Sequence, residues 1–400
     1  MRIVVVVENV PNQTAGGGAL TAWSLLHRLQ ALGHEVHPIL LRPPAPDPQE
    51  ARQLQALTTA GFSFTALRLP IPAPSSSWRR RLLPNLDAVY PALTLSPSLA
   101  EIIHRLRPDE LITYHWNATA ACAPITGLPK VALLGDPDSI VRWYRHRWEA
   151  GVQPRDPLRR LVHELEAWHR ARWDPQLMQL LLQSYTSVAF FAAHHAQWAR
   201  RHGIPATYLR TPIPDPQPAP RVFAHRANPN LLLLGHHDGI ATKTGLAWFT
   251  SQVLPALDRQ TRPYTIHVVG RRAPLPAAIH RALERPNVMW HGHLSPVDTA
   301  FTSADALVVP TPIPLGIRIR ILTAWSFGCP VITHAANTQG IPELQHGVNA
   351  LVSQRGEDMA EHLKCLWETP ALQAQLSTQG RKTYEQYFSP TAFDVPVVIR

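Results

Sequence analysis

Four hundred residues are too many for one ordinary core, so two domains are expected. The 45% apolar fraction excludes wholesale disorder, no run of eighteen apolar residues marks a transmembrane helix, and three distant cysteines (Cys122, Cys329, Cys365) form neither a disulfide framework nor a zinc spacing, which favours a reducing cytoplasm. The formal net charge of +10 is carried almost wholly by arginine, with only four lysines, and points to anionic partners such as nucleotide phosphates, acidic lipid or nucleic acid.

The chain opens on MRIVVVVE, a first strand over Arg2–Val7. It lacks the apolar length and small-residue cleavage site of a signal peptide. A loop with Gly16, Gly17 and Gly18 follows. The next stretch is an amphipathic helix with Ala22, Leu25, Leu26, Leu29 and Leu32 on one face, stopped by Gly33. Residues 35–41, 110–115, 130–135 and 187–191 read as further strands, with helical stretches between them. Strand alternating with helix predicts a parallel, doubly wound sheet in a first domain over 1–210. Residues 211–220, TPIPDPQPAP, are a proline-rich linker.

The pattern then restarts over 221–385. Strands are expected at 230–235, 264–270, 288–290, 306–309 and 331–333, and a helix at 244–254 with Trp248, Phe249 and Val253 inward. Residues 386–400 form a tail that returns to the first domain. The fold class is therefore α/β, with two doubly wound Rossmann-like domains facing across a cleft at the carboxyl ends of both sheets.

In the second domain four features fall at carboxyl ends of strands. The loop GHHDGIATKTG carries Lys243, and Gly270 is followed by Arg271 and Arg272. The stretch TPIPLGIRIRILTAWSFGCPVIT carries Gly316 and Arg318, and AANTQGIPE carries Gly340 and Glu343. A diphosphate needs several backbone donors and one or two cations, held without water between them. Lys243, Arg318 and the amides near Gly316 supply that list, whereas Arg320 reads as solvated.

In the first domain Asp136 follows a strand. It suits a general base or an acceptor contact; the alternative is a helix cap made by Asp138 or Ser139. GDPD also spells the Asp-x-Asp of metal-dependent transferases of another fold, which the two-domain pattern does not fit. His115, ending a strand, is a candidate base near neutral pH or simply packs. The other histidines show no ligand spacing, so no metal site is expected. The stretches SSSWRRRLL (75–83) and RWYRHRW (142–148) mix cations with aromatics, as a membrane-surface patch or a solvated loop would. No recognisable nucleic-acid module is present.

The runs LLLLGHHDGIATKTGLAWF, YTIHVVG, PNVMWHGHLS, ADALVVPTPIPLGIRIRILTAWSFGCPVIT and NTQGIPELQHGVNALV resemble, in order and spacing, the nucleotide-sugar-binding domain of GT-B glycosyltransferases. The retaining family 4 enzymes (glycosyl transferase group 1) are the nearest match. The first half resembles the family's acceptor domain more loosely, in Gly16 to Gly18 and in the helix around His194 and His195. The resemblance implies a hexosyltransferase of class EC 2.4 that moves a sugar from a nucleotide-sugar donor to a hydroxyl of a glycan, lipid-linked or polysaccharide acceptor. Lys243 and Arg318 would hold the diphosphate. Glu343 and Gly340 would lie near the sugar or ribose, and Gly16, Gly17 and Gly18 would approach the phosphates. Gly270, Gly316 and Thr323 complete the donor set; Asp136, His115 and Glu343 are the catalytic candidates. No cofactor and no metal are implied. The expected place is cytoplasmic, with peripheral contact at the inner face of an anionic membrane, and nucleic acid is not a partner.

The chain departs from the family at two positions. Leu315 and Thr323 stand where many members carry two glutamates eight residues apart. Thr323 would weaken the ribose contact assigned to the second acid by roughly 1 kcal/mol or more, since a hydroxyl lacks the charge-assisted bond. The alternative is a catalytically weak or inactive glycosyltransferase-like binding or scaffold protein.

Overall fold

A computed structural model of the chain describes residues 1–13, 17–42, 50–68, 90–152, 157–260, 262–294 and 296–394. Gly16 and the stretch 75–83 lie outside the described residues. The chain divides into two compact units, one of Met1–His146, Arg155–Pro212 and Phe393–Arg400, the other of Arg147–Pro154 and Ile213–Ala392.

The first unit is built on seven strands: β1 (Arg2–Val7), β2 (Glu35–Arg42), β3 (Thr65–Arg68), β4 (Glu110–Tyr114), β5 (Lys130–Leu134), β6 (Ser187–Phe190) and β7 (Thr207–Tyr208). Their order is β3-β2-β1-β4-β5-β6-β7, every pairing parallel. Ile3 to Val7 are fully buried, as expected of a central strand covered on both faces. Chain order reverses between β1 and β4. Sequence reading found five of these strands and missed β3 and β7, which are short edge strands with exposed residues.

The second unit has six parallel strands: β8 (Asn230–Leu234), β9 (Thr265–Val269), β10 (Val288–Gly292), β11 (Ala306–Val309), β12 (Val331–His334) and β13 (Leu351–Ser353). Their order is β10-β9-β8-β11-β12-β13, and the reversal falls between β8 and β11. The edge strand β13, three residues long, was not foreseen. The helix expected at 244–254 starts earlier, at Ile240, and passes through a π-turn at Phe249–Val253 before a last segment, Leu254–Asp258. Its inner face meets Ile266, Val268, Met359 and Leu363 in the main core of this unit.

The proline-rich stretch is fastened to the second unit. Ile213 donates its N–H to Phe388 O at 2.8 Å and accepts the Tyr384 hydroxyl at 2.9 Å. The Arg381 guanidinium grips both oxygens of Asp215 at 2.9 and 2.7 Å. In the first unit Arg28 donates to Phe393 O at 3.3 Å; residues 395–400 of the expected tail lie outside the described residues. No helix among the described residues is long and apolar enough to cross a membrane.

Candidate functional site

In an open parallel sheet the strand ends diverge where chain order reverses, and ligands bind there. Each unit has one such crevice, and most residues singled out from the sequence fall at one or the other.

In the second unit, β8 ends at Leu234 and turns through Gly235 to Gly239 into the helix Ile240–Trp248. Lys243 sits in the first turn of that helix, half-buried. Its ammonium makes no hydrogen bond or ion pair among the described residues. β11 leads through Gly316, held at φ 61°, to Arg318, the N-cap of the helix Ile319–Ser326. Two helix starts, each with an oriented set of amide donors and a cation, thus lie at adjacent strand ends.

Arg320 corrects the sequence reading, which left it in solvent. Its Nη1 donates to the carbonyl of Leu234 and lies 3.4 Å from Thr242 Oγ1, while Nη2 donates to Thr311 Oγ1 at 3.0 Å. Burial, and then the charge of Arg318, pull its pKa down to about 9. Two glycines make the room. A Cβ at Gly235 would stand 2.2 Å from Arg320 Nη1, and one at Gly270 would stand 1.9 Å from Gly235 O. Gly270 therefore serves close packing of two strand ends.

Thr323 faces its own helix, since its hydroxyl donates to Ile319 O at 3.0 Å. Leu315 is buried. Of the loop cations, Arg271 pairs with Asp238 at 2.6 Å and Arg272 stacks 5.5 Å over the Trp290 ring. His237, 2% exposed, sets its ring edge-on to Trp290. Gly340 is buried at the end of the 3-10 turn Ala335–Gln339 that follows β12, and the half-buried Glu343 comes three residues later.

In the first unit, the carboxyl ends of β1, β4, β5 and β6 are neighbours and carry Glu8, His115, Asp136 and the helix bearing His195. His115 has φ 71°, a left-handed conformation rare for a residue with a side chain. Its ring fits between two glycines: a Cβ at Gly18 would lie 2.9 Å from Nε2, and one at Gly135 would lie 2.7 Å from Cε1. Tyr114 stacks edge-on at 4.3 Å. Burial drives the imidazole down to about 4, against the pull of Asp136, so the ring is neutral at physiological pH. Gly17, at φ 67°, caps the helix Gly18–Ala31 beside it.

Asp136 places Oδ1 3.3 Å from Nδ1 of the buried His195, with its own carboxylate partly exposed. Its backbone carbonyl accepts the Trp116 indole N–H at 2.8 Å. Asp138 pairs instead with Arg142 in the first turn of its helix. The two carboxylates of the Asp-x-Asp string thus serve different partners, and no group of three His, Cys, Asp or Glu suited to a metal occurs among the described residues.

One member of this set, Glu8, was not foreseen. Glu8 accepts the N–H of Asn117, and burial pushes its carboxyl up to about 7 against that bond. The signal was available: Glu8 is the first residue after a buried strand at a reversal point. His195 entered only through a resemblance, and only the fold shows its contact with Asp136.

Residues 228–369 match the family model described as Glycosyl transferases group 1. Among solved structures, sucrose-phosphate synthase from Thermosynechococcus elongatus is 13% identical with a TM-score of 0.67, covering 98% of this chain and 96% of that one. Anabaena HepE, solved with UDP, is 14% identical with a TM-score of 0.67 over the same shares. TarM is 9% identical with a TM-score of 0.69, again over 98% and 96%. No curated protein matches the chain in sequence. The chain therefore has the GT-B fold, and residues 228–369 of its second unit match a domain family whose class of reaction is glycosyl transfer.

Proposed function

We propose that the protein is a hexosyltransferase that moves a sugar from a nucleoside-diphosphate donor to a hydroxyl of a glycan or lipid-linked acceptor, with retention at the anomeric carbon. The observation that carries this reading is the crevice between β8 and β11. Lys243 and Arg318 stand at two adjacent helix starts inside the matched domain. As the sugar–phosphate bond breaks, the departing diphosphate gains negative charge, and preorganised cations and amides stabilise that change directly. They supply charge that a divalent cation supplies in other designs, so transfer should survive chelation.

The first unit's strand-end set is assigned to the acceptor. A neutral His115 can accept a proton from a hydroxyl, and Asp136 offers a carboxylate beside it. Glu343 is assigned to the sugar, by resemblance. UDP-sugars are the first donors to try, because Anabaena HepE was solved with UDP-glucose. Turnover is read as release of nucleoside diphosphate from a panel of nucleotide sugars. Lys243→Ala and Arg318→Ala should each lower it by about a hundredfold. A panel that neither turns over nor raises the melting temperature would sink the reading.

One observation favours a second reading, a weak or inactive scaffold of the same fold. The helix start that carries acids in the resembling family offers here a buried Leu315 and a Thr323 hydroxyl already bonded to Ile319 O. Nucleotide binding without turnover by the chain alone, with turnover appearing only beside a partner transferase, would favour it.

The acceptor side also supports peripheral contact with an anionic membrane at the cytoplasmic face. On the helix Pro157–Leu182, Leu161, Leu165 and Trp168 are 53%, 56% and 59% exposed, and their spacing places them on one face. Sedimentation with anionic vesicles, lost in Leu165→Ser/Trp168→Ser, tests this contact.

A further inference from the structure

The crevice between β8 and β11 contains a cation that the donor reading does not use. Arg320 is hydrogen-bonded to one carbonyl and two hydroxyls, and none of these bonds goes to a carboxylate. Its Nε is buried with no hydrogen-bond partner among the described residues. The residue is nonetheless partly exposed, and it lines a cavity with Gly235, His237, Thr242, Gly245 and Thr311. A desolvated charge without an opposite charge weakens a fold unless something else offsets it. Among the described residues no carboxylate does: Asp238 is engaged by Arg271, and positions 315 and 323 carry no acid. The backbone is shaped for this cation all the same, since Gly235 leaves the space that Nη1 occupies and Gly270 leaves the space that Gly235 needs.

We propose that Arg320 is a third phosphate-binding cation of this crevice and that the missing opposite charge is the diphosphate of the bound ligand. The inference rests on the nucleotide-sugar reading for the identity of the ligand, while the anion site itself can be tested without any transfer. Burial and the neighbouring Arg318 already hold Arg320 well below an ordinary arginine, so a dianion has more to gain there than at a surface arginine. The predicted signature is a split between stability and binding. Removing the charge relieves the empty fold and removes the pull on the ligand.

The test uses the full chain, with inorganic pyrophosphate and UDP as probes, by calorimetry and thermal melting. Arg320→Met should bind pyrophosphate about tenfold or more weakly, with a ligand-free melting temperature no lower than wild type. Arg320→Gln, which keeps hydrogen bonding without charge, should show the same loss if the Met variant does not fold. Arg320→Lys should fall between. Pyrophosphate affinity within twofold of wild type in the Met or Gln variant overturns the proposal, as does a wild-type chain that binds no pyrophosphate. A wild-type chain that binds pyrophosphate through Arg320 yet turns over no nucleotide sugar leaves this inference standing and removes the transferase reading.

Discussion

The Glu8 carboxylate accepts the backbone N–H of Asn117, and so ties the end of β1 to the turn that follows β4. That turn holds His115 at φ 71°, a conformation that costs about 1–3 kcal/mol and persists only when its surroundings over-determine it. Burial raises the Glu8 carboxyl from 4.5 to about 7. A group raised on folding favours the native state fully below its unfolded pKa, and that contribution is lost as pH rises through the folded value. The Glu8 contribution to stability should therefore fall between about pH 4.5 and 7. Glu8→Gln keeps an acceptor for Asn117 and does not ionise, so this component should be absent. The difference should be on the order of 2 kcal/mol by pH 8, read from urea melts across pH. Parallel curves for the two proteins would show that Glu8 is not the titrating group.

The gap around the His115 ring gives a second prediction. A methyl at Gly135 would stand 2.7 Å from Cε1 and one at Gly18 would stand 2.9 Å from Nε2. At Gly18 the Tyr114 hydroxyl would also lie 3.5 Å away, whereas at Gly135 the methyl would meet only the His115 ring among the described residues, so Gly135→Ala should move the ring more than it disturbs the sheet. Turnover should fall by about tenfold or more, the usual effect of displacing a catalytic group by a fraction of an ångström. Stability should fall by roughly 1–2 kcal/mol. Unchanged turnover in Gly135→Ala would remove His115 from the catalytic set.

The architecture was legible because buried parallel strands write themselves as apolar runs: VVVV after Arg2–Ile3, LLLL in β8 and ALVV in β11. Edge strands escaped because β3 alternates partly buried with exposed residues and β7 is only two residues long. Strand ends told where the crevices lie, so Lys243, Arg318, His115 and Asp136 could be picked out by position alone. Side-chain direction could not be read that way. Arg320 looked like any surface arginine until the space left by Gly235 was known, and Thr323 looked available until its bond to Ile319 O was seen. Glu8 was passed over because a single acid at a strand end is ordinary; its bond to Asn117 depends on β1 lying beside β4.

Lys130 supplies a structural contrast within the first unit. Its ammonium is buried and donates to the carbonyls of Cys122, Ala123 and Ile125 at 3.1, 2.8 and 2.6 Å, and to Ser184 Oγ at 2.8 Å. It closes the carboxyl end of the helix Trp116–Cys122, where oriented carbonyls favour a cation. Lys130→Met keeps the stem but takes a charged donor from three carbonyls, of which Cys122 O keeps the Ile125 N–H and Ala123 O keeps the Ser184 hydroxyl. Stability should fall by about 3 kcal/mol, measured by chemical denaturation, whereas pyrophosphate affinity at the second unit should stay within twofold of wild type. A stable Lys130→Met protein would mean that water replaces the ammonium without loss.

Thr323→Glu tests how the acid-free helix start is used. Position 323 lies three residues after Arg320, a spacing at which side chains on a helix meet. A carboxylate there would compete with a ligand for the guanidinium, and the Ile319 carbonyl would lose its hydroxyl donor. Pyrophosphate should bind about five- to tenfold more weakly, because part of the site's positive charge is neutralised within the protein. The ligand-free melting temperature should rise, since the same carboxylate gives Arg320 the opposite charge it lacks. The two effects should vanish together in Arg320→Gln/Thr323→Glu, where no charge remains to pair. If pyrophosphate affinity in the single variant stays at the wild-type value while the melting temperature rises, the added acid has found Arg320 but the ligand never did.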